Sequence, residues 1–172
     1  MTEYVRGMCQ TRSTSFIRPN DTTAYAVGDV IADSTSAATV LTFPRATLGN
    51  GDSGIIAQAT IVSSANKSTK LDGRLWLFDT APASYGNDNE AFAPTDAEMR
   101  TVIGIIDFPT ASWIAGLVTA DAAGNALCDI QNLAIPFNTT KDTNDIYGVL
   151  EARNAYTPIA VEQFDIRLKI LL

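Results

Sequence analysis

The chain has 172 residues, of which 46% are hydrophobic and 18% charged, with a net charge of −7 and no histidine. That length and apolar share suit one domain, residues 1–172, built round a substantial core. The missing histidine removes the commonest general base and metal ligand at neutral pH. The acidic excess, with no cluster of Lys and Arg, argues against nucleic acid and against anionic membrane surfaces as partners. No apolar run approaches the roughly 20 residues that cross a bilayer.

Met1 to Gly7 lack the apolar stretch of a secretory signal, so the expectation is a protein folded in a cytoplasm. On that expectation the sequons at Asn20, Asn66 and Asn138 are chance matches in a chain rich in Thr, Ser and Asn. Cys9 and Cys128 then read as two free, mostly buried thiols.

In chain order, residues 11–20 are rich in Ser and Thr and weakly periodic, which reads as an extended N-terminal arm within residues 1–20. Thr39 to Phe43 is a candidate strand, and Gly49-Asn50-Gly51-Asp52 is turn chemistry. Ile55, Ala57, Ala59 and Ile61 alternate with polar neighbours and predict a strand with an apolar inner face. After the Asp72-Gly73 turn, Leu75 and Leu77 alternate with Arg74, Trp76 and Phe78. Thr80 to Pro94, with Tyr85 and Phe92 inside it and Gly86-Asn87-Asp88-Asn89 at its centre, is the longest polar stretch and reads as an ordered excursion. Thr95 to Arg100 has an N-cap candidate and acidic first-turn residues, enough for one or two helical turns. Further strands are predicted at Val102 to Phe108, Trp113 to Val118, Leu127 to Ile130, Leu133 to Phe137 and Ile146 to Arg153, with a turn at Ala123-Gly124-Asn125. The clearest strand is the last, where Phe164, Ile166, Leu168, Ile170 and Leu172 occupy alternate positions. Eight or more strands at this spacing predict an all-β, antiparallel sandwich of two packed sheets with at most one short helix.

Four groups of residues invite a chemical reading. Gly51-Asp52-Ser53-Gly54 matches the nucleophile motif of chymotrypsin-like serine proteases, but Ser53 has no imidazole to take its proton, and Ile55 stands where those proteases carry glycine. Ser64-Ala65-Asn66-Lys67 has the Ser-x-x-Lys spacing of penicillin-binding enzymes without their companion elements. Asp88 with Glu90, and Asp142 with Asp145, supply loop carboxylates of the kind that hold calcium, without the spacing of a calcium loop. Trp76, Phe78, Tyr85, Trp113 and Tyr156 are the large aromatics that an exposed row would use for an interface or a sugar platform; Trp76 and Trp113 lie inside strand patterns, where a core role is the default. No catalytic, cofactor-binding or metal-binding residue is assigned, and no cofactor is expected.

Several segments together resemble the head decoration, or cement, proteins of tailed bacteriophages. They are the run from Arg18 through Pro19, Asn20, Asp21 and Tyr25 to Ile31, then Gly54-Ile55-Ile56, Leu75 to Asp79 and Pro82. Asp88-Asn89-Glu90-Ala91-Phe92 and Asp96 follow, and at the end stand Ala155-Tyr156-Thr157-Pro158 and Glu162-Gln163-Phe164. The resemblance spans nearly the whole chain, and its motifs are those of turns and strand starts, so it brings no catalytic residue. It implies a jelly-roll-like body made in a host bacterial cytoplasm, bound to the outer surface of the virion capsid and stabilising it. Its partners would be the major capsid protein and two further copies of itself, at threefold and quasi-threefold positions. The 1–20 arm would lie along the capsid, and Phe16, Ile17, Trp113, Tyr156 and Phe164 are the candidate interface residues. Two other readings stay open: another virion part, such as a head-fibre base or tail-associated protein, and a carbohydrate-binding jelly-roll module displaying a Trp or Tyr row. An enzyme would need a carboxylate pair brought together from distant positions.

Overall fold

A computed structural model describes residues 7–115 and 124–172. Among them, eleven strands form two antiparallel sheets. The first contains β1 (Cys9–Ile17), β4 (Ser53–Ser63), β7 (Trp113–Ala115), β8 (Ala126–Ile130), β9 (Ile135–Asn138) and β11 (Gln163–Leu171), in the order β1-β11-β4-β8-β7, with β9 beside the other half of β4. The second contains β2 (Val30–Ile31), β3 (Leu41–Phe43), β5 (Gly73–Phe78), β6 (Val102–Phe108) and β10 (Ile146–Ala152), in the order β2-β10-β5-β6, with β3 also on β10. The chain changes sheet at six of the ten connections between its described strands, so β11 and β10, adjacent in sequence, lie in opposite layers. That exchange is the wiring of a jelly roll.

The period-two pattern of the last strand is realised in full. Phe164, Ile166, Leu168 and Ile170 of β11 are completely buried and meet Leu75, Leu77, Phe43 and Ile146 of the other sheet in one core. Each such side chain contributes about 1.5–3 kcal/mol relative to exposure. The pattern at β4 is interrupted. A bulge opposite Lys169 and Ile170 inserts Ala57 as an extra residue, so Ile56 faces the core while Ile55 faces solvent. One added residue flips every following side chain, which is why the expected inner row of Ile55, Ala57, Ala59 and Ile61 holds only from Ala59 onward.

Residues 9–17 of the expected arm are extended but not free. They pair with β11 along their whole length, from Cys9 opposite Leu171 to Ile17 opposite Gln163. Their inward positions, Gln10 and Arg12, are polar because they lie at the rim of the sandwich, where their side chains donate to the carbonyl of Arg45. Of the strand predicted at Trp113 to Val118, residues 116–118 lie outside the described residues, as do Ala123 of the predicted turn and residues 1–6 of the arm.

The Thr80 to Pro94 excursion folds over the outer face of the second sheet. There Val30, Ala32, Phe78, Tyr85 and Val149 form a smaller apolar cluster, against which Trp76 and Phe92 pack. The helix α1 (Asp96–Met99) is a single turn with a capping box between Thr95 and Glu98. The Glu98 carboxylate also accepts the N–H groups of Ala83 and Ser84, at 2.6 and 2.7 Å, and so pins the excursion to the helix. Those donors, Thr95 first, hold its pKa down at about 2.

Candidate functional site

Several of the segments that carry the resemblance, 56 residues or more apart at Ala32 and Asp88, converge in the sandwich. Arg18 follows β1 directly, and its N–H continues the pairing by donating to the Glu162 carbonyl at 2.9 Å. The next residue, Pro19, cannot extend a strand ladder. The Arg18 side chain turns inward and is wholly buried. Its Nη2 donates to Asp88 Oδ2 at 2.9 Å, its Nε donates to the Tyr25 hydroxyl, and its guanidinium lies 4.6 Å from the centre of the Tyr25 ring. Asp88 Oδ1 accepts from the Tyr25 hydroxyl at 2.5 Å and from the Ala32 N–H at 2.9 Å.

A second buried carboxylate completes the group. Glu162 accepts from Ser63 Oγ at 2.5 Å and from the Ile159 N–H at 3.2 Å, and the Tyr156 hydroxyl lies 2.7 and 3.0 Å from its two oxygens. The rings of Tyr25 and Tyr156 stack with centroids 6.5 Å apart, and their backbones form an isolated bridge. Around this clamp, Val30 donates to Glu90, Asn89 to Val30 and Phe92 to Gly28, so the turn at residues 88–92 is sewn to the strand start at 28–30.

The electrostatics of the clamp are structural. Burial alone would pull the Arg18 pKa down, but the facing Tyr25 and Asp88 more than offset it and hold it above the ordinary value. Burial, then the Asp88 carboxylate, pushes the Tyr25 phenol well up, and burial with Glu162 does the same for Tyr156. Both phenols therefore remain protonated donors throughout the physiological range. A set of water-excluded groups, in which Arg18 Nη1 alone is left without a partner among the described residues, can hold three chain segments together.

The other chemical candidates have structural partners too. Ser53 Oγ donates to the Asn138 side-chain oxygen at 2.8 Å, an amide that cannot serve as a base. The glycines of that motif answer to geometry: Gly51 has φ +77°, and a Cβ on Gly54 would come within 2.8 Å of Phe137. Ser64 Oγ accepts from the Gln163 N–H at 2.9 Å. Asp145 accepts the Arg45 N–H at 2.8 Å, and Glu90 accepts the Asn87 N–H at 2.9 Å. Among the described residues, no three His, Cys, Asp or Glu side chains are grouped to hold a metal ion, and no helix is long and apolar enough to cross a membrane.

Of the five candidate interface residues, three lie inside the protein. Phe16 and Phe164 stack on each other with ring centroids 5.6 Å apart, and Tyr156 belongs to the clamp. Alternation decides this: Phe16 and Phe164 are directly paired on the inner face of the first sheet. Trp113 is half-buried against the core, its Nε1–H donating to the Leu71 carbonyl at 2.7 Å. Only Ile17, at 54% exposure, presents its side chain to solvent.

Trp76 faces outward from the second sheet, 5.1 Å from Phe92, with its Nε1–H on Glu151 at 2.6 Å. It shares no face with Trp113, so the two tryptophans do not form a platform. Beside Trp76, Arg74 and Arg153 both grip Asp107, at 2.7 and 3.0 Å. The outer face of the first sheet carries an open groove of about 460 Å³, whose polar lining includes Gln58, Gln131, Asn132 and Lys169. The two thiols are free: Cys9 is exposed, against expectation, because it sits on the solvent face of β1, while Cys128 is buried and pushed up to about 11 by burial and then by Asp129.

No protein-family model matches the chain, and no curated protein matches it. Among solved structures, one described as the acidic stable capsid structure of Helicobacter pylori bacteriophage KHP30 aligns over 96% of this chain and 94% of its own. The two share 9% identity at a TM-score of 0.32, and the jelly-roll assignment above rests on strand order instead.

Proposed function

We propose that this protein is a structural component of a bacteriophage virion, a decoration protein that binds the outer surface of the mature capsid as a homotrimer at threefold and quasi-threefold positions and is not an enzyme. The observation that carries the reading is the convergence of the resembling segments. Residues 18–31, 88–92, 155–158 and 162–164, four of the segments that carry the resemblance, meet in one buried clamp. Chance matches would have no reason to fold together, whereas a fingerprint for one architecture must.

The action that follows is linkage. A protein that binds the expanded shell more tightly than its precursor deepens the expanded state by the difference in affinity. A trimer multiplies that difference through avidity, so each subunit need contribute only about 1–3 kcal/mol of coupling. A body whose chemically capable groups are tied up in its own folding suits a part present in many copies.

The test is the copy number of the chain per major capsid protein in purified particles, by quantitative mass spectrometry. Hundreds of copies per particle are expected. About a dozen or fewer would move the protein to a vertex, fibre or tail, and its absence from particles would overturn the virion reading.

A further inference from the structure

The free edge of β1 is unguarded. In the β1–β11 ladder, Met8 and Leu172 exchange both backbone bonds, at 3.2 and 2.8 Å, and Arg18 donates to Glu162 at the other end. Antiparallel ladders alternate, so the even-numbered residues of β1 bond to β11. The N–H and C=O groups of Cys9, Thr11, Ser13, Ser15 and Ile17 therefore point away from the sheet, and all five residues are exposed. None of these groups has a hydrogen-bond partner among the described residues. Natural sheets blunt such edges with proline, lysine, bulges or a covering loop. Here β1 contains no proline and no lysine, pairs with β11 without a register shift, and spends its one charge, Arg12, on the carbonyl of Arg45.

We infer that this edge is an isologous contact, closed by β1 of a second copy running antiparallel about a twofold axis through Ser13. The strand fits itself in that register. Ser13 faces Ser13, Thr11 faces Ser15 and Cys9 faces Ile17 of the second copy, and every outward N–H and C=O gains a partner. Within β1 no charge meets its own image, since Arg12 falls opposite Thr14. One strand further out, Arg167 is paired with Ser13 and shares the axial row with its own image, while the two flanking rows join opposite charges. Lys169 is paired with Thr11 and Asp165 with Ser15, so each row that begins at Lys169 ends at Asp165 of the second copy. A twofold contact also consumes the edge in a closed pair, with no open filament. Only the placement of this contact rests on the virion reading: neighbouring threefold positions of an icosahedral lattice are related by twofold axes, so the pairing would join adjacent trimers into a net.

The experiment uses the full chain in solution. By light scattering after size exclusion, Ser13→Pro is expected to lower the mass of the wild-type species to that of the unit without this contact, weakening the contact about tenfold or more. Because the Ser13 N–H points outward, this change leaves the bonds to β11 in place, and Ser13→Lys gives a second route to the same result if the proline variant does not fold. In Ile17→Cys, the new thiol lies opposite Cys9 of the second copy in a bonded pair, where Cα atoms about 5.5 Å apart permit a disulfide. Oxidised glutathione should then link chains in pairs, and the added change Cys9→Ser should abolish the link. A wild-type mass equal to that of the edge variants, or an Ile17→Cys chain that stays unlinked, overturns the inference. Capsid binding enters neither readout, so this contact and the virion reading fail independently.

Discussion

The clamp at Arg18 and the triad at Asp107 are made of the same parts, a carboxylate between an arginine and its neighbours, and they do different work. Arg18 and Asp88 have no exposed side-chain surface, whereas the Asp107 side chain is 41% exposed. In the clamp each charge has given up its water and depends on its partners. In the triad each charge keeps most of its hydration and gains little from pairing. The difference teaches that the same ion pair can be a requirement of the fold at one end of the molecule and a surface ornament at the other.

The largest expected effect is that of Asp88→Asn, which strands the buried guanidinium and should cost about 3–5 kcal/mol in urea unfolding. A loss below about 1 kcal/mol would mean that water reaches Arg18 and would erase the contrast. Glu162→Gln puts an amide N–H against the Ser63, Tyr156 and Ile159 donors and should cost about 1–3 kcal/mol by the same measurement. Val161, which leads into Glu162, has φ +52°, a conformation a β-branched residue resists. Replacing it with asparagine should stabilise the protein by about 1 kcal/mol, since that strain is built into the turn that presents Glu162. Asp107→Ala should cost less than about 1 kcal/mol, and raising the salt to about 1 M should remove even that while leaving the Asp88→Asn deficit unchanged.

The two regions also part company with pH. Asp107 is held below its ordinary value by its bonds to Arg74, against the opposing pull of burial, so its contribution is present above the unfolded carboxylate pKa of about 3.9 and is lost as pH falls below it. Tyr25 and Tyr156 are raised, so their contribution is complete below about pH 10 and is lost as pH climbs above it. Thermal melts of the Tyr25→Phe and Asp107→Ala variants should therefore differ from the parent in opposite ways: the first loses part of its alkaline sensitivity, which Tyr156 shares, and the second part of its acid sensitivity, which Glu98 shares.

Much of the sandwich was legible before any coordinates, because β11, β5 and β10 write their inner faces as alternation and their turns as Gly, Asn and Asp. The strand β1 was not, since its inward residues at the rim are glutamine, arginine and threonine, and hydrophobic periodicity is blind to a strand that is held by its ladder. The β4 bulge was hidden because Ile55-Ile56 fits either register. The clamp escaped for a different reason. Arg18, Asp88 and Glu162 each look like an ordinary surface charge, and only their coincidence in space makes them a unit. The available signal was that Arg18 and Asp88 both fall inside segments that carry the sequence resemblance, a hint that reads as turn chemistry until the partners are joined. For the same reason Tyr156, a candidate interface residue in the sequence, lies in the interior of the clamp.

The place of β11 has a consequence for how the molecule is made. The first sheet has this strand between β1 and β4, and the clamp needs Glu162 just before it, so the earliest and the latest described parts of the chain must meet for either to be satisfied. A nascent chain cannot close its core until residues 163–171 have left the ribosome, and with so many long-range pairings it folds late and slowly. Synthesis thus carries its own inspection: a polypeptide cut short anywhere upstream lacks the strand that joins β1 to β4 and stays open to proteolysis.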